Sequence, residues 1–305
     1  MAVSGVSRWQ IWLEATRPRT LSAACAPVLV GSAVAWREGA FVPGAASACL
    51  AFALLVQVGT NFANDYYDAL KGADTEERVG PRRAVASGLV APATMRRAMV
   101  GVLAAAFLVG LTLLAYGGWP LLLVGVASIA CAVAYTGGPY PLAYHGLGDV
   151  FVFIFFGLVA VVATAFVQTG QVSQAALVAS VGVGALATNI LVANNYRDVE
   201  TDRKAYKLTL LVRWGRAYGR WQFAVAHGLA VCTPLVLAVL GAAALWPAVS
   251  VAALSATVGW RQSRRLLAAR TPQDCITLLG QTGKWLALYG VVLALAIGGA
   301  RLVKS

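Results

Sequence analysis

The chain has 305 residues, of which 59% are hydrophobic and 12% charged, with a mean hydropathy of +0.73 and a formal net charge of +12. A soluble core cannot hide that much apolar surface, so the composition excludes a water-soluble globular protein and marks an integral membrane protein. The positive charge does not indicate nucleic acid, because Lys and Arg are dispersed over several loops between apolar runs instead of gathering on one soluble face.

The first twenty residues are mixed in polarity and hold Arg8, Glu14, Arg17 and Arg19. They lack the basic, apolar and small-residue order of a secretory signal, so the N-terminal arm is expected to be retained. A spanning helix needs about 20 mostly apolar residues, and the charge-free intervals divide by that length. Residues 20–36 make a short first span and 39–64 a second. Residues 98–148 are split at Gly117-Gly118-Trp119-Pro120 into spans three and four, followed by a loop rich in Gly, Pro and Tyr. Residues 150–196 break at Gln168-Thr169-Gly170-Gln171 into five and six, and 221–260 break near 241–247 into seven and eight. Residues 285–300, extended back across Lys284, make the last. The pattern predicts an all-α polytopic bundle of about nine transmembrane helices, one domain over 1–305. The five cysteines form no C-x-x-C pair and read as small hydrophobes.

Of the 24 Lys and Arg, all but Arg37, Arg301 and Lys304 fall in the N-terminal arm or in loops after even-numbered spans. The positive-inside rule then places the N-terminus and those loops on the cytoplasmic side of the membrane. Two polar clusters lie at the ends of spans two and six: Asn61-Phe62-Ala63-Asn64-Asp65-Tyr66-Tyr67-Asp68, and Asn194-Asn195-Tyr196-Arg197-Asp198-Val199-Glu200-Thr201-Asp202. Four spans separate them in the same orientation, which suggests two pseudo-repeated four-helix units with loops 65–97 and 197–220 capping a shared site.

On a helix, Asn61, Asp65 and Asp68 share one face, as do Asn195, Asp198 and Asp202. With Asp74, Glu76, Glu77 and Glu200 nearby, eight of the twelve acidic residues sit in these two regions. An Asp at the bilayer centre costs about 2.5–3.5 kcal/mol, and several together repel unless a cation intervenes. Wet loop charges paired with Lys71, Arg78, Arg197 and Arg203 would not need helical Asn/Asp spacing running straight out of an apolar span. Oxygen ligands without nearby Cys or His favour a hard cation, and Mg2+ takes one or two carboxylates together with substrate phosphate oxygens. Arg78, Arg82, Arg83, Arg203, Lys204 and Lys207 would neutralise the remaining phosphate charge. Acids, bases and membrane together indicate a lipid-tailed phosphate ester. An ion-coupled secondary transporter is the alternative outside enzymes, but it would distribute acids across the bilayer and not at one face.

Tyr135, Tyr140 and Tyr144 are candidate aromatic faces for a developing carbocation, or else anchors in an interfacial belt. Asp149 reads as a helix-start carboxylate, His145 as a turn stabiliser, His227 as a packing residue, and Asn189 as an interhelical bond or an acceptor contact.

The chain resembles the UbiA superfamily of intramembrane prenyltransferases, in particular the branch that acts on 1,4-dihydroxy-2-naphthoate. The likeness runs almost end to end. It is carried by Ala15-Thr16-Arg17-Pro18-Arg19-Thr20, the run from Asn64 to Pro81, Ser87-Gly88-Leu89, the run from Tyr135 to Leu142, His145-Gly146-Leu147-Gly148-Asp149, and Asn195 to Arg203. The resemblance implies Mg2+-dependent transfer of a polyprenyl group from an allylic diphosphate to the naphthoate, with decarboxylation, in menaquinone biosynthesis. 4-Hydroxybenzoate and homogentisate are the alternative acceptors. By position it implies that Asn61, Asn64, Asp65 and Asp68 form the first metal-diphosphate motif, with Asp74 as an accessory. Asp198 and Asp202 would form the second, preceded by Asn195, with Arg83 and Lys207 as basic diphosphate contacts. Tyr206 and Leu208 depart from the family's usual Gly and polar residue, and a bulky side chain there bears on how Lys207 is presented.

Overall fold

The structure, a computed structural model, describes residues 7–73, 80 and 82–302. Helix α1, Arg8–Ala15, starts in a capping box in which Ser7 Oγ accepts from Gln10 N and Gln10 Oε1 accepts from Ser7 N. A 3-10 turn at Pro18–Thr20 leads into α2, Ser22–Arg37. Then come α3, Pro43–Leu70, α4, Pro92–Gly117, and α5, Pro120–Ala134, each with proline in its first turn, where a missing N–H costs nothing. The loop after α5 holds a 3-10 turn, Leu142–His145. Helix α6, Gly148–Val152, runs through a π-helical segment, Phe153–Val159, into α7, Ala160–Thr169. Helices α8, Gln174–Lys204, α9, Leu210–Val239, α10, Leu245–Ala268, and α11, Pro272–Leu302, complete an all-α fold without strands among the described residues.

Every interval expected to span holds a helical body, and the breaks fall where glycine was expected to punctuate. Gly118 and Gly170 take φ of 73° and 72° as the chain turns after α4 and α7. The expected number of spans is not reproduced by length and apolarity. Among the described residues six helices meet both conditions, or seven if α1 and α2, bent by 50°, form one broken span. Helix α5 is too short, and α10 carries Arg261, Arg264 and Arg265 in its second half. Helices also outrun the charge-free intervals, because backbone hydrogen bonding does not stop at the hydrocarbon edge. As a result 197–204 belongs to α8 and 210–220 to α9, and only 205–209 connects them.

Helix α8 lies at the centre, with 78% of its most apolar stretch buried. Val183, Leu186 and Ile190 of α8 share a core with Val30 of α2 and Tyr289, Leu293 and Ile297 of α11. The π-helical segment meets α8 backbone to backbone, such that a Cβ on Gly157 would lie 2.7 Å from Gly184 Cα. Small residues permit this approach, as is usual between helices in membranes. Helices α3 and α4 pack through Phe62, Met95, Met99 and Leu103.

Candidate active site

The C-terminal halves of α3 and α8 bring the two polar clusters to one mouth of a cavity of about 280 Å³. Asn61, Asn64 and Asp68 of α3 line it together with Asn194 and Asn195 of α8, Arg83, Lys207, Arg17, Gln57, Tyr135 and Asp149. Deeper, the wall is apolar, built from Cys49, Phe52 and Val56 of α3, Leu113 of α4, Leu121 of α5 and Phe155, Phe156 and Val167 of the α6–α7 rod. From Cys49 to Asp68 along α3 is about 28 Å at the rise of an α-helix, close to the hydrocarbon thickness. The cavity therefore has a charged head and a long oily body.

Asp68 is held on both oxygens, with Tyr144 Oη donating to Oδ1 at 2.9 Å and Arg83 Nη2 to Oδ2 at 3.3 Å. The Tyr144 ring also carries Lys71 Nζ at 4.5 Å and Lys207 Nζ at 5.6 Å from its centroid, both in cation–π range. Lys71 Nζ donates to Thr136 O at 2.5 Å, and Thr136 Oγ1 donates to Asn64 Oδ1 at 2.9 Å. Burial pushes the Lys71 ammonium below its ordinary value, opposed by Asp68 and aided by Lys207. Burial also pushes the Tyr135 phenol up, reinforced by Asp149, Asp68 and Asp202, so Tyr135 presents a neutral ring to the cavity. Asn61 Nδ2 donates to Thr16 O, fastening the segment before α2 to α3.

At the second cluster, Lys207 lines the cavity and its Nζ lies 3.8 Å from Asp202 Oδ1, while Asp202 is itself off the wall and its Oδ2 is buried with no hydrogen-bond partner. Asp198 is engaged differently from the expectation. Arg197 Nε and Nη2 contact its two oxygens at 2.6 and 2.5 Å, Arg197 Nη2 also donates to Asn194 Oδ1 at 2.9 Å, and Asp198 is off the cavity wall. Helical spacing puts Asp198 on the right side of α8, but the neighbouring arginine takes its carboxylate.

Three further groups of expected site residues lie off the cavity. Asp65 is off the wall as well, because Oδ2 accepts from Ala84 N and Oδ1 from Val85 N, each at 3.0 Å. Tyr140 is 57% exposed and stacks on His145 at 3.7 Å, since proline on either side turns it outward, away from any developing cation. Arg82 pairs with Glu14 of α1 at 3.2 Å and Arg203 with Glu200 at 2.8 Å, while Lys204 is exposed, so none of the three lines the cavity. Asp74, Glu76, Glu77 and Arg78 lie outside the described residues.

Tyr206 has φ of 53° and is 85% exposed. The backbone there adopts the conformation that suits glycine, but the ring points away, and Lys207 still reaches the wall. The loop is pinned by Leu208 N donating to Tyr144 O at 2.9 Å. Sequence reasoning missed Arg17 and Gln57. Gln57 had a signal, a lone amide inside an apolar span. Arg17 has φ of 52° immediately before a proline, a pairing that disfavours helical backbone, and nothing in the sequence announces that conformation. Asp149, read as structural, accepts from Gln222 Nε2 at 2.8 Å and also lines the cavity. His145 takes its turn-stabilising place, with Nδ1 2.8 Å from Pro141 O.

An oxygen-lined charged head above a membrane-deep apolar body defines a site for a lipid-tailed phosphate ester. The UbiA prenyltransferase family model matches residues 24–288, and the chain belongs to that family. It is 40% identical over 290 residues, 95% of each chain, to the 1,4-dihydroxy-2-naphthoate octaprenyltransferase of Mycobacterium leprae (strain TN). With the enzyme of the same name from Escherichia coli (strain K12) it shares 35% over 304 residues, covering 97% of this chain and 98% of the other. Among solved structures, a UbiA homologue from Archaeoglobus fulgidus bound to DMAPP and Mg2+ superposes with a TM-score of 0.67 at 14% identity, over 93% of this chain and 98% of that one.

Proposed function

We propose that the protein transfers a polyprenyl group from an allylic prenyl diphosphate to 1,4-dihydroxy-2-naphthoate, releasing diphosphate and carbon dioxide and leaving demethylmenaquinol. On this reading the reaction runs at the cytoplasmic face of a bacterial inner membrane, an orientation supported by the bias of Lys and Arg toward the N-terminal arm and the loops after even-numbered spans. The observation that carries this reading is the cavity itself, polar at one end and apolar along the length of α3. The diphosphate fits only the first part and the prenyl tail only the second.

The donor set suits Mg2+. Asp68, Asp202, Asn64 and Asn195 supply oxygens without competing Cys or His, and Asp202 Oδ2 is a buried carboxylate oxygen with no partner. Among the described residues no three acidic, His or Cys side chains gather closely enough to hold a metal by themselves, in keeping with Mg2+ that arrives together with phosphate oxygens. When bound, Mg2+ withdraws charge from the diphosphate.

Arg83 and Lys207 face the same mouth and stabilise the leaving diphosphate as the allylic C–O bond breaks and positive charge develops on the prenyl carbon. The Tyr135 ring, on the wall below the carboxylates, supplies an aromatic face worth about 1–2 kcal/mol to that cation once desolvated. Phe151, Phe155 and Phe156 close the path to water, which would otherwise capture the cation. The electron-rich naphthoate ring attacks the prenyl carbon. Its carboxylate leaves as carbon dioxide, with the bonding pair retained by the ring.

Membranes containing the protein, incubated with a prenyl diphosphate, dihydroxynaphthoate and Mg2+, are expected to form the prenylated naphthoquinol. EDTA should stop the reaction, and 4-hydroxybenzoate or homogentisate should not replace the acceptor. Asp202→Asn is expected to lower turnover at least about 100-fold, as loss of a charged transition-state contact does. No product with dihydroxynaphthoate, or normal turnover in Asp202→Asn, refutes the proposal.

A further inference from the structure

Asp65 sits in the middle of the first acidic cluster yet is only 2% exposed and lies off the cavity wall. Each of its oxygens accepts one backbone N–H, from the consecutive residues Ala84 and Val85. Two successive amides aimed at one carboxylate make a compact anion-binding turn. That turn is closed on itself as well. Ser87 N donates to Arg83 O at 3.0 Å, Gly88 N to Val85 O at 2.9 Å and Leu89 N to Ala84 O at 3.0 Å, and Ser87 Oγ also donates to Arg83 O.

Arg83 is the residue immediately before the two amides, and its guanidinium reaches Asp68, one helical turn beyond Asp65 on α3. One arginine is thus held at both ends by two carboxylates of the same helix. Asp68 takes the side chain, and Asp65 takes the backbone that follows it. On a helix Asp65 is rotated about 60° from Asp68, enough to face the 82–90 segment and not the cavity. Removing the Asp65 carboxylate would leave two buried N–H groups unpaired at about 1–3 kcal/mol each.

We propose that Asp65 is not a metal ligand but a positioning residue, whose carboxylate fastens the Ala84-Val85 turn to α3 and thereby presents Arg83 to the diphosphate. The proposal rests on the transferase reading for the part Arg83 plays, and the test separates the two.

Kinetic constants and Mg2+ activation curves are measured for the wild type, Asp65→Ala, Asp65→Asn, Arg83→Ala and the double variant Asp65→Ala/Arg83→Ala. Hydrogen exchange is followed at the Ala84 and Val85 amides. Asp65→Ala is expected to raise KM for the prenyl diphosphate about tenfold and to leave the Mg2+ midpoint within about twofold. It should add less than about twofold in the Arg83→Ala background, since both changes remove the same contact. Asp65→Asn retains one acceptor and should give a smaller effect in the same direction, which keeps the test open if the alanine variant does not fold. The two amides should lose protection in Asp65→Ala with Arg83 present or absent. A shifted Mg2+ midpoint, losses that add fully to those of Arg83→Ala, or amides that stay protected would overturn the proposal. If Arg83→Ala leaves KM for the diphosphate unchanged, the assignment of Arg83 in the transferase reading fails, whatever the amides show.

Discussion

Removing one oxygen from Tyr144 tests the site most directly. Tyr144 is buried, its hydroxyl donates to Asp68 Oδ1 at 2.9 Å, and its ring carries the Lys71 and Lys207 ammonium groups. Tyr144→Phe deletes the hydrogen bond to Asp68 and keeps both cation–π contacts. A hydrogen bond to a charged group contributes about 1.5–3 kcal/mol, which corresponds to about 10- to 150-fold in rate if all of it is expressed at the transition state. Arg83 still holds the other oxygen at 3.3 Å, so the lower end applies and kcat/KM should fall about tenfold. The assay is initial-rate transfer from a radiolabelled prenyl diphosphate by purified protein in detergent, with thermal unfolding followed in parallel. A kcat/KM within about twofold of wild type, in a variant that unfolds normally, would show that Asp68 does not depend on Tyr144 and would remove the geometric basis of the first motif.

Tyr206→Gly relieves a left-handed backbone that costs a non-glycine residue about 1–2 kcal/mol, offset by about 0.5–1 kcal/mol of glycine chain entropy. Thermal unfolding should therefore show equal or slightly greater stability with unchanged turnover, and a clear loss of either would mean that the exposed ring supports the loop. Gly157→Ala places a methyl group 2.7 Å from Gly184 Cα, where only backbone can yield. It should destabilise the protein by about 1–3 kcal/mol, read as a lowered unfolding temperature. Gly125→Phe fills the apolar body of the cavity, since a Cβ there meets nothing nearer than Phe52 at 3.8 Å. It should raise KM for long prenyl diphosphates while geranyl diphosphate is still used, and equal inhibition of both would argue against a tail channel on that wall.

The character of the protein was legible in one dimension because the bilayer imposes a one-dimensional rule. Charge-free stretches of spanning length predicted helices that are present, with breaks at Gly118 and Gly170, and Asn/Asp spacing marked helix ends that reach the cavity. Helical periodicity assigns a residue to a face to within about a quarter turn, and that is where the reading of the acids lost resolution. Asp65 and Asp68 share a face by spacing, but one binds backbone amides and the other lines the cavity. Asp198 and Asp202 share another, but Arg197 occupies the first and leaves an oxygen of the second unpaired. Span ends were blurred for a related reason: charge locates the edge of the hydrocarbon, not the end of the helix, so α8 continues through residues read as a loop.

The sequence by itself determined the membrane setting, the helical class and, through its motifs, the family. These depend on composition and local order alone. Tertiary structure decided which carboxylates face the cavity and which hold the scaffold, and brought Arg17, Tyr144 and Asp149 to or beside the site from distant parts of the chain. Those choices depend on contacts between elements far apart in sequence, where a rotation of about 60° about a helix axis separates a carboxylate on the cavity wall from one bonded to backbone amides.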